Sequence, residues 1–408
     1  MIKLDNFLNV SILPFIILNI GNLCSYIFQF LLSRYVSVDI FGQFNSLNSI
    51  INLLLIPSSF IGFFIIKFYS QINQDNKMFE KLVISYSFII TLFMFIFIYI
   101  LFFISPSIFK INNIEFFLLN LYISIIFFIS FVYGYLQSKK KYILFSVSSS
   151  LILLFKVILL IVFFNFLNVN LKSLLIILVL SALIPLIINF KIIFTNIFCF
   201  NYKIDKSFLS IFNKYIFLLF SVLTFKSFFL SSDIYIVSIY NDNSITGFYT
   251  SASILSKIVF YIPSVLINII FTESILSKLN AKSDQNKLSL FLAFNSFLTI
   301  FLLLIFYFFG EFLLSISFGS EFIIANSYLF KLCIAMSFFS FITYFLYYMM
   351  GKNDYHIIFP IIVSIIIYII LVTFFNEPIQ IINLQIIILF FLFIYLFLRQ
   401  FIWLKYTN

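Results

Sequence analysis

Charge, histidine and cysteine are all scarce in this chain, and each shortage excludes something. Only 9% of the 408 residues are charged, against about a quarter in a soluble domain. No polar stretch is long enough to fold as a separate soluble enzyme domain. The single histidine, His356, falls in a loop and argues against a histidine-ligated metal site. Cys24, Cys199 and Cys333 stand apart, with no metal or redox spacing. There is no phosphate-binding glycine loop, no pair of histidines and no G-x-S-x-G. Asp205, Asp284 and Asp354 are single acids in basic loops and read as solvated, not catalytic. The residues therefore imply no cofactor, no metal and no enzyme.

What is abundant is apolar. Hydrophobic residues make up 63% of the chain, 65 of them phenylalanine, and the mean hydropathy is +1.19. The apolar runs are near-continuous and about 20 residues long, the length a helix needs to span a bilayer. Ten-residue alternating strands, the mark of an outer-membrane barrel, are missing. The fold class is an all-α polytopic membrane protein of about 12 transmembrane helices. Breaks at polar clusters place them near 8–32, 44–66, 82–104, 114–136, 142–165, 171–193, 211–240, 245–272, 288–310, 325–350, 355–376 and 379–402. The first is read as a span and not as a cleaved leader, because only Lys3 beside Asp5 precedes it and no small-x-small cleavage site follows.

The formal charge of +10 need not mean nucleic acid, because most of it sorts to one side of the membrane. With the N-terminus inside, 17 of the 24 basic residues fall in inner segments, among them Lys77, Lys81, Lys139, Lys140, Lys141, Lys352 and Arg399. Outer segments hold Arg34, Lys110 and Lys172. That bias sets both termini in the cytoplasm. The outer loops are too short for a folded catalytic domain.

The longest inner connection, about 194–210, divides the chain into two domains, an N-terminal six-helix bundle over 1–200 and a C-terminal one over 201–408. The halves look related. IFGQFNSLNSI (40–50) leads to Pro57-Ser58, and ITGFYTSASIL (245–255) leads to Pro263-Ser264. Each string begins the second helix of its half. Six spans per half make these parallel repeats, a 6+6 arrangement suited to two bundles around a central cavity.

An ionised side chain in hydrocarbon costs roughly 3 kcal/mol on insertion scales, so such residues usually face a cavity or a partner. Lys226 and Asp233 share the seventh span, seven positions apart and so on one helix face, about 10 Å apart along the axis. Lys257 lies within the eighth span and Lys156 within the fifth; Lys331 lies nearer the outer end of the tenth, and Arg34 ends the first. Cavity lining is the functional reading for all six. Snorkelling, or structural pairing with a neighbouring helix, is the bland one, strongest for Lys331 and Arg34. Four lysines against one acid make a cavity that attracts anions. Pro14, Pro57, Pro185, Pro263 and Pro360 fall inside spans, where each permits a kink.

Three stretches carry a family resemblance: GNLCSYIFQFLLSRYVSVDIFGQFNSLNSIINLLLIPSSF (21–60), SSDIYIVSIYNDNSITGFYTSASILSKIVFYIPSVLINIIF (231–271) and GSEFIIANSYLFKL (319–332). With the twelve-span layout they resemble the polysaccharide-exporter and O-antigen flippase (Wzx-like) branch of the multidrug/oligosaccharidyl-lipid/polysaccharide superfamily. Relatives often have a proline soon after the phenylalanine that here begins Phe271-Thr272-Glu273. The resemblance implies a flippase of the bacterial cytoplasmic membrane. Its substrate would be an undecaprenyl-pyrophosphate-linked oligosaccharide, the repeat unit of an O-antigen, capsule or exopolysaccharide, moved by alternating access. Membrane lipid, H+ or Na+ as a coupling ion, and a glycan polymerase would be its partners. A drug or metabolite antiporter of the same superfamily, a membrane glycan polymerase or ligase, and a scaffold in glycan assembly remain the competing readings.

Overall fold

The computed structural model describes residues 13–71, 77–104, 111–166, 169–194, 206–264 and 281–406, together with positions 267, 270 and 274. Lys3, Asp5, Lys110, Cys199, Lys203, Asp205, most of the inner connection and the Phe271-Thr272-Glu273 departure lie outside the described residues. Among those described there is no strand. Eleven helices are long and apolar enough to cross a membrane, and a bent pair, Val38–Leu54 with Ile56–Gly62, makes a twelfth. The chain is thus a multi-pass, all-helical membrane protein of 6+6 arrangement.

Two compact units divide at the start of the seventh span, Met1–Lys206 and Ser207–Asn408. The first contains α1 (Leu13–Tyr35), α2 (Val38–Leu54), α3 (Ile56–Gln71), α4 (Lys77–Ile104), α5 (Asn113–Ser138), α6 (Tyr142–Phe166), α7 (Leu171–Ile188) and a short α8 (Phe190–Phe194). The second contains α9 (Lys206–Tyr240), α10 (Asn243–Ser256), α11 (Ile258–Ser264), α12 (Ala281–Ser317), α13 (Asn326–Gly351), α14 (Ile358–Val372) and α15 (Pro378–Tyr406).

Polar residues between the apolar runs start the helices. Ser37 Oγ accepts from the Ile40 N–H at 3.4 Å. At α7, Asn170 Oδ1 accepts from the Ser173 N–H while Ser173 Oγ accepts from the Asn170 N–H, at 2.9 and 2.8 Å. Each such cap satisfies donors that a helix start leaves open. Within the units, helices approach closely where side chains are small. A Cβ on Gly21 would sit 2.7 Å from Ser150 Oγ and 3.0 Å from Ser150 Cα, so α1 and α6 meet almost backbone to backbone, and Ser150 Oγ donates to Ile17 O at 2.8 Å.

Several spans are broken where the sequence reads as continuous. The second bends by 43° at Leu55, two residues before Pro57, whose ring cannot donate to the carbonyl one turn back. The eighth breaks at Lys257. There the Ser253 carbonyl is shared between the Lys257 N–H at 3.2 Å and the Ser256 hydroxyl at 2.8 Å, a competition that bends helices. The sixth divides at Asn189, whose amide donates to Pro185 O at 2.9 Å. The ninth runs on to Ser317 across a kink at Phe309.

The turns after α5 and α13 share one geometry. Lys139 and Lys352 end their helices at φ −82° and −81°. Lys140 and Asn353, which follow, both have φ 58°. Lys141 N–H donates to Leu136 O at 2.9 Å, as Asp354 N–H donates to Met349 O at 3.0 Å. This is the six-to-one bond that closes a helix through a left-handed residue.

Candidate functional site

The polar interior of the second unit is built on α9. That helix carries Ser227, Ser231, Ser232 and Asp233 in an otherwise apolar run, and packing turns Asp233 inward until it is 1% exposed. Its carboxylate meets α10. Oδ2 accepts from Ser253 Oγ at 2.9 Å and from the Tyr249 hydroxyl at 3.3 Å. Oδ1 has no hydrogen-bond partner among the described residues, nor has the buried Tyr368 hydroxyl of α14, on which the charge of Asp233 also acts. One turn back on α9, the Phe229 carbonyl accepts from Gln385 Nε2 of α15 at 3.3 Å. Among the described residues, the hydrogen bonds to this carboxylate come from α10 alone, while α15 bonds the α9 backbone one turn back.

Lys257 lies at the break between α10 and α11, one turn beyond Ser253. The charge of Asp233 acts on it, but at no ion-pair distance. Lys226 lies two turns back from Asp233 and meets the same broken helix lower down. Its Nζ sits 5.8 Å from the centre of the Phe260 ring and 6.0 Å from that of Tyr347. Ser253, Lys257 and Phe260 stand on successive turns of one face. Asp233, Lys257 and Lys226 therefore follow one another along the seam between α9 and the broken eighth span. Lys226 and Asp233 both meet the eighth span, at Phe260 and at Tyr249 and Ser253, and Lys226 also meets Tyr347 of α13. Lys331, half-buried in the second turn of α13, has no hydrogen bond or ion pair with these three residues.

In the first unit Lys156 of α6 is half-buried. Its Nζ donates to the Tyr122 hydroxyl of α5 at 3.2 Å and lies 5.4 Å from the centre of that ring. Arg34 is exposed in the last turn of α1, where a cation favours the helix dipole. A neutral pair lies between α1 and α2: Gln29 Nε2 donates to Asn45 Oδ1 at 3.0 Å, and Asn45 Nδ2 donates to Phe41 O at 3.0 Å.

Sequence reasoning passed over Tyr249, Ser253, Tyr368, Gln385 and Tyr122. A signal existed for the first two, which lie inside the repeated string ITGFYTSASIL. Nothing local marks the others, because their polar atoms matter only through what faces them. Among the described residues, no three His, Cys, Asp or Glu side chains gather as a metal set. The seam offers a buried carboxylate with one oxygen open, able to hold a proton or a monovalent cation. Beside it are two ammonium groups, with the ring faces around Lys226 contributing cation–π attraction.

Neither the family models nor the curated proteins match this chain. Solved structures do. An inward-facing multidrug resistance MATE family transporter of the MOP superfamily matches at TM-score 0.67 and 13% identity, over 96% of each chain. The outward-facing form of a multidrug resistance MATE family transporter matches at TM-score 0.60 and 12% identity, over 96% of this chain and 93% of the other. A MOP superfamily transporter from Pyrococcus furiosus, described as having a binding pocket of reversed polarity, matches at 0.59 and 13%, over 95% and 93%. The fold of this chain, along nearly its whole length, is that of the MATE transporters of the MOP superfamily.

Proposed function

We propose that the protein is a transporter that flips an undecaprenyl-pyrophosphate-linked oligosaccharide across the bacterial cytoplasmic membrane by alternating access, with its lysine-rich helix ends and both termini in the cytoplasm. The observation that carries this reading is the state of the in-span lysines. Lys156 and Lys226 rest on a phenol and on aromatic rings, and among the described residues no carboxylate within ion-pair distance cancels either charge. A cation kept in a membrane without an acid calls for an anion from outside the chain. At about 5 Å and an effective dielectric near 20, one lysine attracts one phosphate charge by about 3 kcal/mol. Sugar and pyrophosphate cannot cross hydrocarbon unaided. Outward movement of an anion is helped by about 2.3 kcal/mol per charge per 100 mV when the cytoplasm is negative. The Asp233 carboxylate is the candidate holder of a coupling H+ or Na+.

The test is surface glycan in a strain lacking its own flippase but making the matching lipid-linked repeat unit, with membrane levels of each variant checked by blot. The double variant Lys226→Ala/Lys257→Ala should cut export more than tenfold at normal expression, and Lys→Arg at either position should be milder. Full export by the double variant would defeat the assignment.

A drug or metabolite antiporter is the second reading. It is favoured by the likeness to multidrug transporters and by the acid buried within the seventh span, Asp233. It expects cationic-drug resistance that depends on Asp233 and is indifferent to Lys226. The scaffold reading expects loss of Lys226 and Lys257 to be tolerated.

A further inference from the structure

The matched turns after α5 and α13 differ in a way the backbone does not require. In the second unit the left-handed position is Asn353, a residue that tolerates positive φ. The next residue, Asp354, is held in place: Arg399 Nε and Nη2 donate to its two oxygens at 2.9 and 2.8 Å, and it also accepts from the His356 N–H at 3.1 Å. In the first unit the same three positions are Lys139, Lys140 and Lys141. Lys140 takes the left-handed conformation at φ 58°, where the Cβ crowds the following carbonyl and no local side-chain bond offsets it. Lys140 and Lys141 are exposed, and neither side chain has a hydrogen bond or ion pair among the described residues. Glycine would close this turn without that crowding, and asparagine at a lower cost than lysine. The strain is therefore kept for the charge, and an observed outlier of this kind points to a use.

The surroundings say what the charge meets. The turn ends a membrane-spanning helix and starts another, so it stands at the height of lipid head groups. The short α8 packs against the same end of α5, Ile193 lying in a cluster with Val132, Tyr135 and Leu136. It brings exposed Lys191 and Phe190, the latter 62% exposed, to that end of the unit. Cations beside an exposed aromatic ring are the composition of an interfacial lipid contact.

We propose that the Lys139–Lys141 turn, with Lys191, binds the phosphate of anionic phospholipid head groups on the face of the membrane where the lysines gather. This site is separate from the α9 seam and does not rest on the transport reading. A lysine run of this kind also orients a chain during insertion, but that role ends once the protein is in place. The two roles separate in the mature protein.

The full chain, purified in a neutral detergent, is titrated with phosphatidylglycerol or phosphatidylcholine, and bound lipid is counted by native mass spectrometry alongside the thermal midpoint. The wild type should favour phosphatidylglycerol, and Lys140→Asn/Lys141→Asn should lower that preference by roughly fivefold per lysine removed at low salt. Lys140→Arg/Lys141→Arg should keep it. Lys140→Asn alone should raise the midpoint in detergent without lipid, because the strain is relieved, while reducing the gain on adding phosphatidylglycerol. Inorganic phosphate at matched concentration should not reproduce the gain. Equal lipid preference in the double asparagine variant, no preference in the wild type, or an equal gain from inorganic phosphate would each overturn the proposal.

Discussion

The two units solve the problem of polar groups in a membrane differently. In the first, the buried polar side chains among the described residues are neutral amides and hydroxyls. Asn120 donates to Phe95 O at 3.0 Å, Asn189 to Pro185 O at 2.9 Å, and Gln29 to Asn45 at 3.0 Å. In the second, the polar interior centres on an ionisable group, Asp233, with Lys257 and Lys226 along the same seam. Each of these amides of the first unit leaves its own oxygen without a hydrogen-bond partner among the described residues, a neutral orphan that costs about 1–3 kcal/mol. A buried carboxylate without an ion pair costs several kcal/mol unless a proton or a counter-ion joins it. Among the described residues, the buried ionisable group of this seam belongs to the second unit, while Lys156 of the first is half-buried against Tyr122.

The largest effect expected from breaking this contrast is on transport. Asp233→Asn keeps the volume and the hydrogen bonds from Ser253 and Tyr249 but removes the charge. If Asp233 only orients Lys257, surface glycan should fall partly and stay independent of external pH. If it carries the coupling proton, the substitution should abolish whatever pH dependence the wild type shows. The matching change in the first unit, Asn45→Asp, adds a charge where none is used, and should lower the amount of folded protein in the membrane without creating pH dependence. An Asp233→Asn variant that exports at the wild-type level with an unchanged pH profile would dissolve the contrast.

A middle-sized effect separates the two matched turns. Asp354→Ala strands the partly buried Arg399 and removes a bidentate pair, which should cost about 2 kcal/mol, between the exposed and buried limits. It should be seen as a lower thermal midpoint in detergent. Lys141→Ala, at the corresponding place in the first unit, should leave that midpoint unchanged in the absence of anionic lipid. Equal losses would mean that the turns are held alike after all.

The smallest effect concerns the left-handed position itself. Asn353→Lys copies the first unit's turn into the second and should destabilise it by about 1 kcal/mol, read from the same melting curves. No change there would remove the strain from which the use of Lys140 is argued.

The positions of the charged residues were legible from the amino-acid order, whereas their partners were not. Lys226 and Asp233 could be placed on one helix face because seven residues make two turns. That phase even points to a common neighbour. Tyr368 and Gln385, more than a hundred residues away, carry no mark that they meet the surroundings of Asp233. The breaks divide in the same way. Pro57 announces a bend in the second span. Lys257 announces none, because its break arises where the Ser256 hydroxyl competes for the Ser253 carbonyl.

By itself, the sequence determined that this is a membrane protein of twelve helical spans, which ends gather lysine, and that six ionisable residues need explaining. Those properties follow from segment length and composition measured against the bilayer, and each can be read along a single stretch of chain. Only the tertiary structure decided that Asp233 would meet Ser253 and Tyr249, that Lys226 would rest on aromatic rings, and that one of two matched turns would be clasped by Arg399 while Lys140 and Lys141 of the other are exposed. Each of these depends on which helix packs against which. A buried polar atom takes the partner that packing presents to it, and packing joins residues that hydropathy treats one at a time.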